Sequence, residues 1–160
     1  MDIIRKAESF AKKEYEKNDT KHQWHHVEAV RKRAFEIARN FKGVDLELLQ
    51  LAVIFHDMGY HMGRTEEERY AKHAENSVEI AKKFLKQNGY PKDRIEKVKQ
   101  IILDHSTSYR KSHGEAELIE GKIIYDADKS VFITTKETYE KYFPLLYFKE
   151  TRKLVKKPFG

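Results

Sequence analysis

Apolar residues recur through this chain at intervals of three and four, and several of those stripes have a histidine or aspartate in line with them. Such spacing puts one face of a helix against a core, so the chain has to fold as helices whose shared interior accommodates ionisable groups. A helix is expected over residues 2–17 through Ile3, Ala7, Phe10, Ala11 and Tyr15. Asp19 or Thr20 can cap a second, carrying Val27, Val30, Ala34, Ile37, Ala38 and Phe41 and ending at Lys42-Gly43. Asp45 starts a third, with Leu49, Ala52, Val53 and His56 on its stripe and Gly59 closing it. A polar loop leads to KHAENSVEIAKKFLKQNG, whose stripe is Ala74, Val78, Ala81 and Leu85. Pro91 opens the next helix at a first-turn position, with Ile95, Val98, Ile102 and His105 on one face. Residues 106–117 read as a loop and 118–143 as a helix, and Pro144 then separates a last aromatic and basic helix. Period-two alternation is scarce. The expected fold is all-α, a single-domain helical globule of about six to seven helices spanning 1–160.

At 160 residues the chain is long enough to bury a substantial core. Its longest apolar stretch is interrupted by Gln50, so no membrane span is expected. The start, MDIIRKAESFAKKEY, lacks the basic flank, apolar block and small-residue site of a signal peptide. Zero cysteines exclude disulfides and thiolate metal sites and suit a cytoplasmic protein. A net charge of +6 favours anionic partners, although a solvated surface accounts for that charge equally well.

The inward ionisable residues carry the chemistry. His26 lies one helical turn before Val30, His56 continues the Leu49–Ala52–Val53 face, and His105 continues Ile95–Val98–Ile102. Asp128 sits between Ile124 and Val131, with Phe132 beside it. Taken singly, an inward histidine is ordinarily a hydrogen-bonded core residue, and an inward aspartate caps a neighbouring helix. Together with the adjacent His56-Asp57 pair, they are all answered by one buried cation, which stabilises carboxylates and neutral imidazoles away from water. The partial negative charge at a helix C-terminus favours a cation there as well. Asp128 is preferred to Asp126, which shares a face with Lys122 and Ser130. His22 and His26 are spaced as a helical metal pair, but His22 follows the expected cap and should face solvent. The stretch 126–137 has carboxylates at EF-hand spacing, yet Val131 stands where the calcium loop needs glycine.

With His26 in HVEAV, His56-Asp57 in FHDMG and Asp128 in YDADKS, in that order, the chain resembles the HD-domain superfamily of metal-dependent phosphohydrolases over about residues 20–135. The resemblance implies an HD-domain-like fold, with 136–160 as a C-terminal aromatic and basic helix. It implies His26, His56, Asp57 and Asp128 as ligands of a divalent metal, of the Mn, Fe, Co, Ni or Zn type and compatible with Mg. It further implies that His73 and His105 can hold a second ion, making one or two per chain. The implied reaction is hydrolysis of a phosphate ester or anhydride of a small phosphorylated substrate, a nucleotide in most relatives. Asp57, His105 and His73 are the expected catalytic residues. His61, His73, His105, Lys129 and Arg64 are expected to contact phosphate or to hold a second ion; Lys72 is a further nearby cation, and a solvated surface is the ordinary role for each lysine. The chain departs from common family patterns at Ala29, Tyr60 and Lys129-Ser130. A homo-oligomer is compatible with this reading. Two other classes are a non-catalytic nucleotide sensor on the same fold, or a nucleic-acid module using YFKETRKLVKK. Retention of every implied ligand favours the enzyme, and no nucleic-acid motif is present.

Overall fold

A computed structural model describes residues 2–158; Met1 and residues 159–160, the extremes of the expected span, lie outside the described residues. The first helix, α1 (Ile3–Glu14), starts where the Asp2 carboxylate accepts the Ile4 N–H, and it buries Ala7 and Ala11. A 3-10 turn, Tyr15–Lys17, extends it, and a second, Thr20–His22, is capped by Asp19. Helix α2 (Trp24–Ala38) therefore starts four residues later than a cap at Asp19 would place it, and three later than a cap at Thr20 would. Asp45 caps α3 (Leu46–Phe55) through the Leu48 N–H, as its position predicts.

Helix α3 is the fold's centre. From Leu48 to Phe55 only Gln50 escapes full burial, and a helix apolar on all sides has to be surrounded. It packs against α1 and α2, against α4 (Glu66–Gln87) and α5 (Lys92–Asp104), and against α7 (Ile119–Phe132). Helix α2 lies along α7 and α4 along α5, closing the core around it.

The described residues hold nine α-helices and no strand, more than the six to seven expected. Two local signals add the extra helices, and a third lengthens α4. Thr65 accepts the Glu68 N–H and starts α4 eight residues before the apolar stripe begins at Ala74, with Glu66, Glu67 and Glu68 favoured by the helix dipole. The expected 106–117 loop contains α6 (Thr107–His113), capped by Ser106 and ended by Gly114 at φ +93°. The expected 118–143 helix breaks after Phe132, because Thr135 and Thr138 form a capping box that starts α8 (Lys136–Tyr142).

Past Pro144, α9 (Lys149–Leu154) is tied back by Asp126, which accepts the N–H groups of Tyr147 and Phe148 and the Thr151 hydroxyl. Phe148 packs on Phe41, and the Arg110 guanidinium lies 4.1 Å from the Tyr147 ring centroid. These aromatics are committed to the fold, which weakens a base-stacking role for the basic segment. No described helix is long and apolar enough to cross a membrane.

Candidate metal centre

Five helices deliver the inward ionisable groups to one point. His26 comes from the first turn of α2, His56 and Asp57 from the turn leaving α3, and His73 from the middle of α4. His105 comes from the end of α5 and Asp128 from the last turns of α7. All six are buried, His56 and His105 completely. His26 Nε2 lies 3.0 Å from Asp128 Oδ1 and 3.4 Å from Asp57 Oδ2, and His56 Nε2 lies 3.4 Å from Asp57 Oδ2. The other Asp57 oxygen, Oδ1, faces His105 Nε2 at 3.2 Å and His73 Nε2 at 3.6 Å. One donor atom from each of His26, His56, Asp57 and Asp128 lies within 4.8 Å of the others, and so do donors of Asp57, His73 and His105. Asp57 belongs to both groups.

Three of the imidazoles are fixed in the same way. Nδ1 of His56 meets the Val53 carbonyl at 2.6 Å, Nδ1 of His73 meets the Tyr70 carbonyl at 2.7 Å, and Nδ1 of His105 meets the Ile102 carbonyl. A carbonyl only accepts, so each Nδ1 carries a hydrogen and each Nε2 points inward, with a free lone pair when the ring is neutral. His56 Nε2 then has no hydrogen-bond partner although it is fully buried. His73 and His105 point Nε2 at each other across 3.0 Å. Burial, then the neighbouring His105, pushes His73 down to about 4, and burial, with His56 among the further causes, lowers His105 below its ordinary value. Two neutral imidazoles thus present facing lone pairs. The donors fit a cation.

The carboxylate side asks for the same thing. Burial opposes charge on Asp57, but His56 and the hydrogen bond of His26 outweigh it and hold the carboxyl well below its usual range. Asp128 is likewise lowered against its burial, chiefly by Lys129, whose Nζ lies 2.8 Å from Oδ2. Burial also opposes charge on His56, yet the two aspartates push its imidazole up to about 10.

The backbone that carries His56 and Asp57 is held from outside α3. The Tyr15 hydroxyl donates to the Ile54 carbonyl at 2.7 Å and accepts the Asp57 N–H at 3.2 Å. Asn18 Nδ2 donates to the Asp57 carbonyl at 2.8 Å. Gly59 packs so closely on α4 that a Cβ would come within 2.6 Å of the Asn76 and Ser77 backbone.

A cleft of about 200 Å³ opens onto the centre, lined by Asp57, His73, Asp128 and Lys129 and by the rings of His22, Tyr60, Tyr70, Phe132 and Tyr142. A larger groove of about 670 Å³ between α4 and α5 is walled by Lys82, Lys83, Lys86 and Lys92 but contains none of these buried ionisable groups. Chemistry therefore belongs to the smaller cleft. Of the residues expected to contact phosphate, Lys129 and His73 line it. His61 does not, because its ring and its N–H both meet Asn18 Oδ1. Arg64 and Lys72 are exposed and outside the lining. His22 is the opposite case. Expected in solvent, it stacks on Tyr60 at 3.6 Å inside the cleft. Its position became readable only once the Thr20–His22 turn and Tyr60, 38 residues apart in sequence, were brought together.

The HD domain family matches residues 24–131 of this chain. A crystal structure described as a predicted HD superfamily hydrolase from an uncultured Thermotogales bacterium superposes with a TM-score of 0.69. The two are 22% identical, over 94% of this chain and 81% of that one. No curated protein sequence matches.

Proposed function

We propose, from the premise that this chain belongs to the HD domain family, that it is a metal-dependent phosphohydrolase acting on a phosphate ester or anhydride of a small molecule, a nucleotide. The observation that carries this reading is the buried donor set, above all His56 Nε2 without a partner and the facing Nε2 atoms of His73 and His105. His26, His56, Asp57 and Asp128 would hold one divalent ion, and Asp57, His73 and His105 would hold a second. When bound, such an ion supplies Lewis acidity, polarising a phosphoryl oxygen and making water acidic enough to attack near neutral pH.

The chain's own residues supply the rest. Asp57, fixed by Tyr15 and Asn18, offers both carboxylate oxygens to orient the attacking water. Lys129 spends two donors on Asp128 and on the His105 carbonyl, which leaves one N–H for a phosphoryl oxygen. The ring-lined walls suit a planar base, since aromatic faces stack on bases without regard to sequence. A cleft of about 200 Å³ admits a small molecule rather than a polymer. Residues 1–160 act as one domain in this reading.

Purified protein should contain, or take up, Mn, Co, Ni or Zn by elemental analysis, and it should release phosphate from a panel of nucleotides, cyclic nucleotides and phosphomonoesters. Protein that stays metal-free after reconstitution sinks the proposal. Tight, salt-sensitive DNA or RNA binding without hydrolysis of any nucleotide would replace it with a nucleic-acid module.

A further inference from the structure

We infer, resting on the phosphohydrolase reading above, that Lys141 is a specificity-determining residue that binds a second phosphate of the substrate, so that the molecule hydrolysed is a small bisphosphate. No residue of α8 is buried, and the helix lies outside the residues 24–131 that match the family. It nevertheless supplies part of the cleft wall through Thr138 and Tyr142, alongside Tyr70 of α4. Lys141 stands over both tyrosine rings. Its Nζ lies 5.0 Å from the Tyr142 centroid and 6.0 Å from that of Tyr70. Two aromatic faces attract an ammonium and restrain a side chain that would otherwise range through solvent. The cation is thereby fixed at the rim of the cleft.

The charge there is unbalanced. Glu137 lies one turn earlier on α8, yet Lys141 makes no ion pair among the described residues. The carboxylates that line the cleft are Asp57 and Asp128, and both belong to the buried donor set. Thr138 spends its hydroxyl inside the capping box, whereas the Tyr70 hydroxyl has no hydrogen-bond partner among the described residues. The rim therefore offers an unpaired ammonium beside a free phenol, and an anion satisfies both through charge-assisted hydrogen bonds. The Tyr70 ring separates this rim from the centre. It lies 6.3 Å from the His73 ring and 6.0 Å from the Lys141 ammonium. A second phosphate joined directly to the first would lie beside Lys129 and the donor set, so the one that Lys141 takes sits on a different carbon of the substrate.

The test measures kcat and KM of wild type, Lys141→Met and Lys136→Met on two matched pairs. One pair is adenosine 5′-monophosphate and adenosine 3′,5′-bisphosphate; the other is fructose 6-phosphate and fructose 1,6-bisphosphate. Lys136→Met removes the same charge from the same helix but away from the cleft lining. Wild type should prefer the bisphosphate in at least one pair, and which pair it is tells a nucleotide from a sugar. Lys141→Met should erase that preference, lowering kcat/KM on the bisphosphate about tenfold more than on the monophosphate and chiefly through KM. Lys136→Met should keep the preference, and metal content should be unchanged in both variants. Wild type that turns over monophosphates without preferring either bisphosphate, an equal loss on both members of a pair in Lys141→Met, or the same selective loss in Lys136→Met overturns the inference and leaves the phosphohydrolase reading standing. Wild-type protein inert toward all four compounds with every metal sinks that reading, and the inference with it.

Discussion

Two aspartates two positions apart on α7 face opposite ways. Asp128 turns to His26 at 3.0 Å and to Lys129 at 2.8 Å, while Asp126 gathers the Tyr147 and Phe148 N–H groups at 2.8 and 3.0 Å together with the Thr151 hydroxyl. Helical periodicity distinguished them, since Asp128 lines up with Ile124 and Val131. Periodicity did not show what Asp126 binds, because its partners lie 21 to 25 residues away across a turn. Asp128→Asn should strip the metal, measured by elemental analysis. Asp126→Asn should leave it bound but present an NH₂ to backbone donors, costing about 1–3 kcal/mol and lowering the melting temperature. The opposite metal pattern would mean that Asp126 is the ligand. His26, His56 and His105 were legible for the same reason as Asp128, each continuing a stripe, whereas His73 came only with the family resemblance. His22 was not, because a 3-10 turn has no stripe to continue.

Helix starts were legible where a polar cap met an apolar run and illegible where it met more polar residues. Asp45 precedes LELLQLAVIF, so α3 was placed correctly; Thr65 precedes EEERYAK, so the first turn of α4 looked like loop. Asp45 does more than cap. Its carboxylate receives the Arg94 guanidinium of α5 at 3.0 and 3.2 Å, and its N–H donates to Glu120 of α7 at 2.8 Å. One residue thus joins the start of the central helix to two neighbours. Asp45→Ala should cost about 1 kcal/mol for the cap, which is roughly 3 °C in melting temperature for a chain of this size. The Arg94 hydrogen bonds are the largest influence on the Asp45 carboxyl and hold its pKa below the ordinary value of 3.8. A depressed folded pKa means that the contribution is complete above the unfolded value, about 3.9, and fades as pH falls through the folded one. Thermal melts of Arg94→Gln against wild type should therefore differ most near neutral pH and converge below about pH 4. A gap that widens in acid would show that the pair does not work this way.

At the scale of the molecule, the candidate centre is a junction. Its donors come from α2, the end of α3, α4, the end of α5 and α7, and they are the polar interior of an otherwise apolar core. This much followed from the sequence, because four stripes each delivering an ionisable group to the inside have to meet around the most buried helix. The order of packing and the cleft walls did not follow, since they depend on α8 and on the Thr20–His22 turn, both built from polar residues. A metal held at a junction of this kind would cross-link five elements. An ion that binds the folded chain and not the unfolded one adds about 2.7 kcal/mol of stability at a free concentration a hundredfold above its dissociation constant. Chelation should therefore lower the melting temperature by several degrees, and amide exchange should accelerate together at the ends of α3, α5 and α7 rather than at the surface of α1. Restoring Mn or Zn should reverse both changes. Exchange that is unaltered at those three helix ends while metal is demonstrably lost would show that these donors do not bind it, and the ligand set would have to be sought elsewhere in the chain.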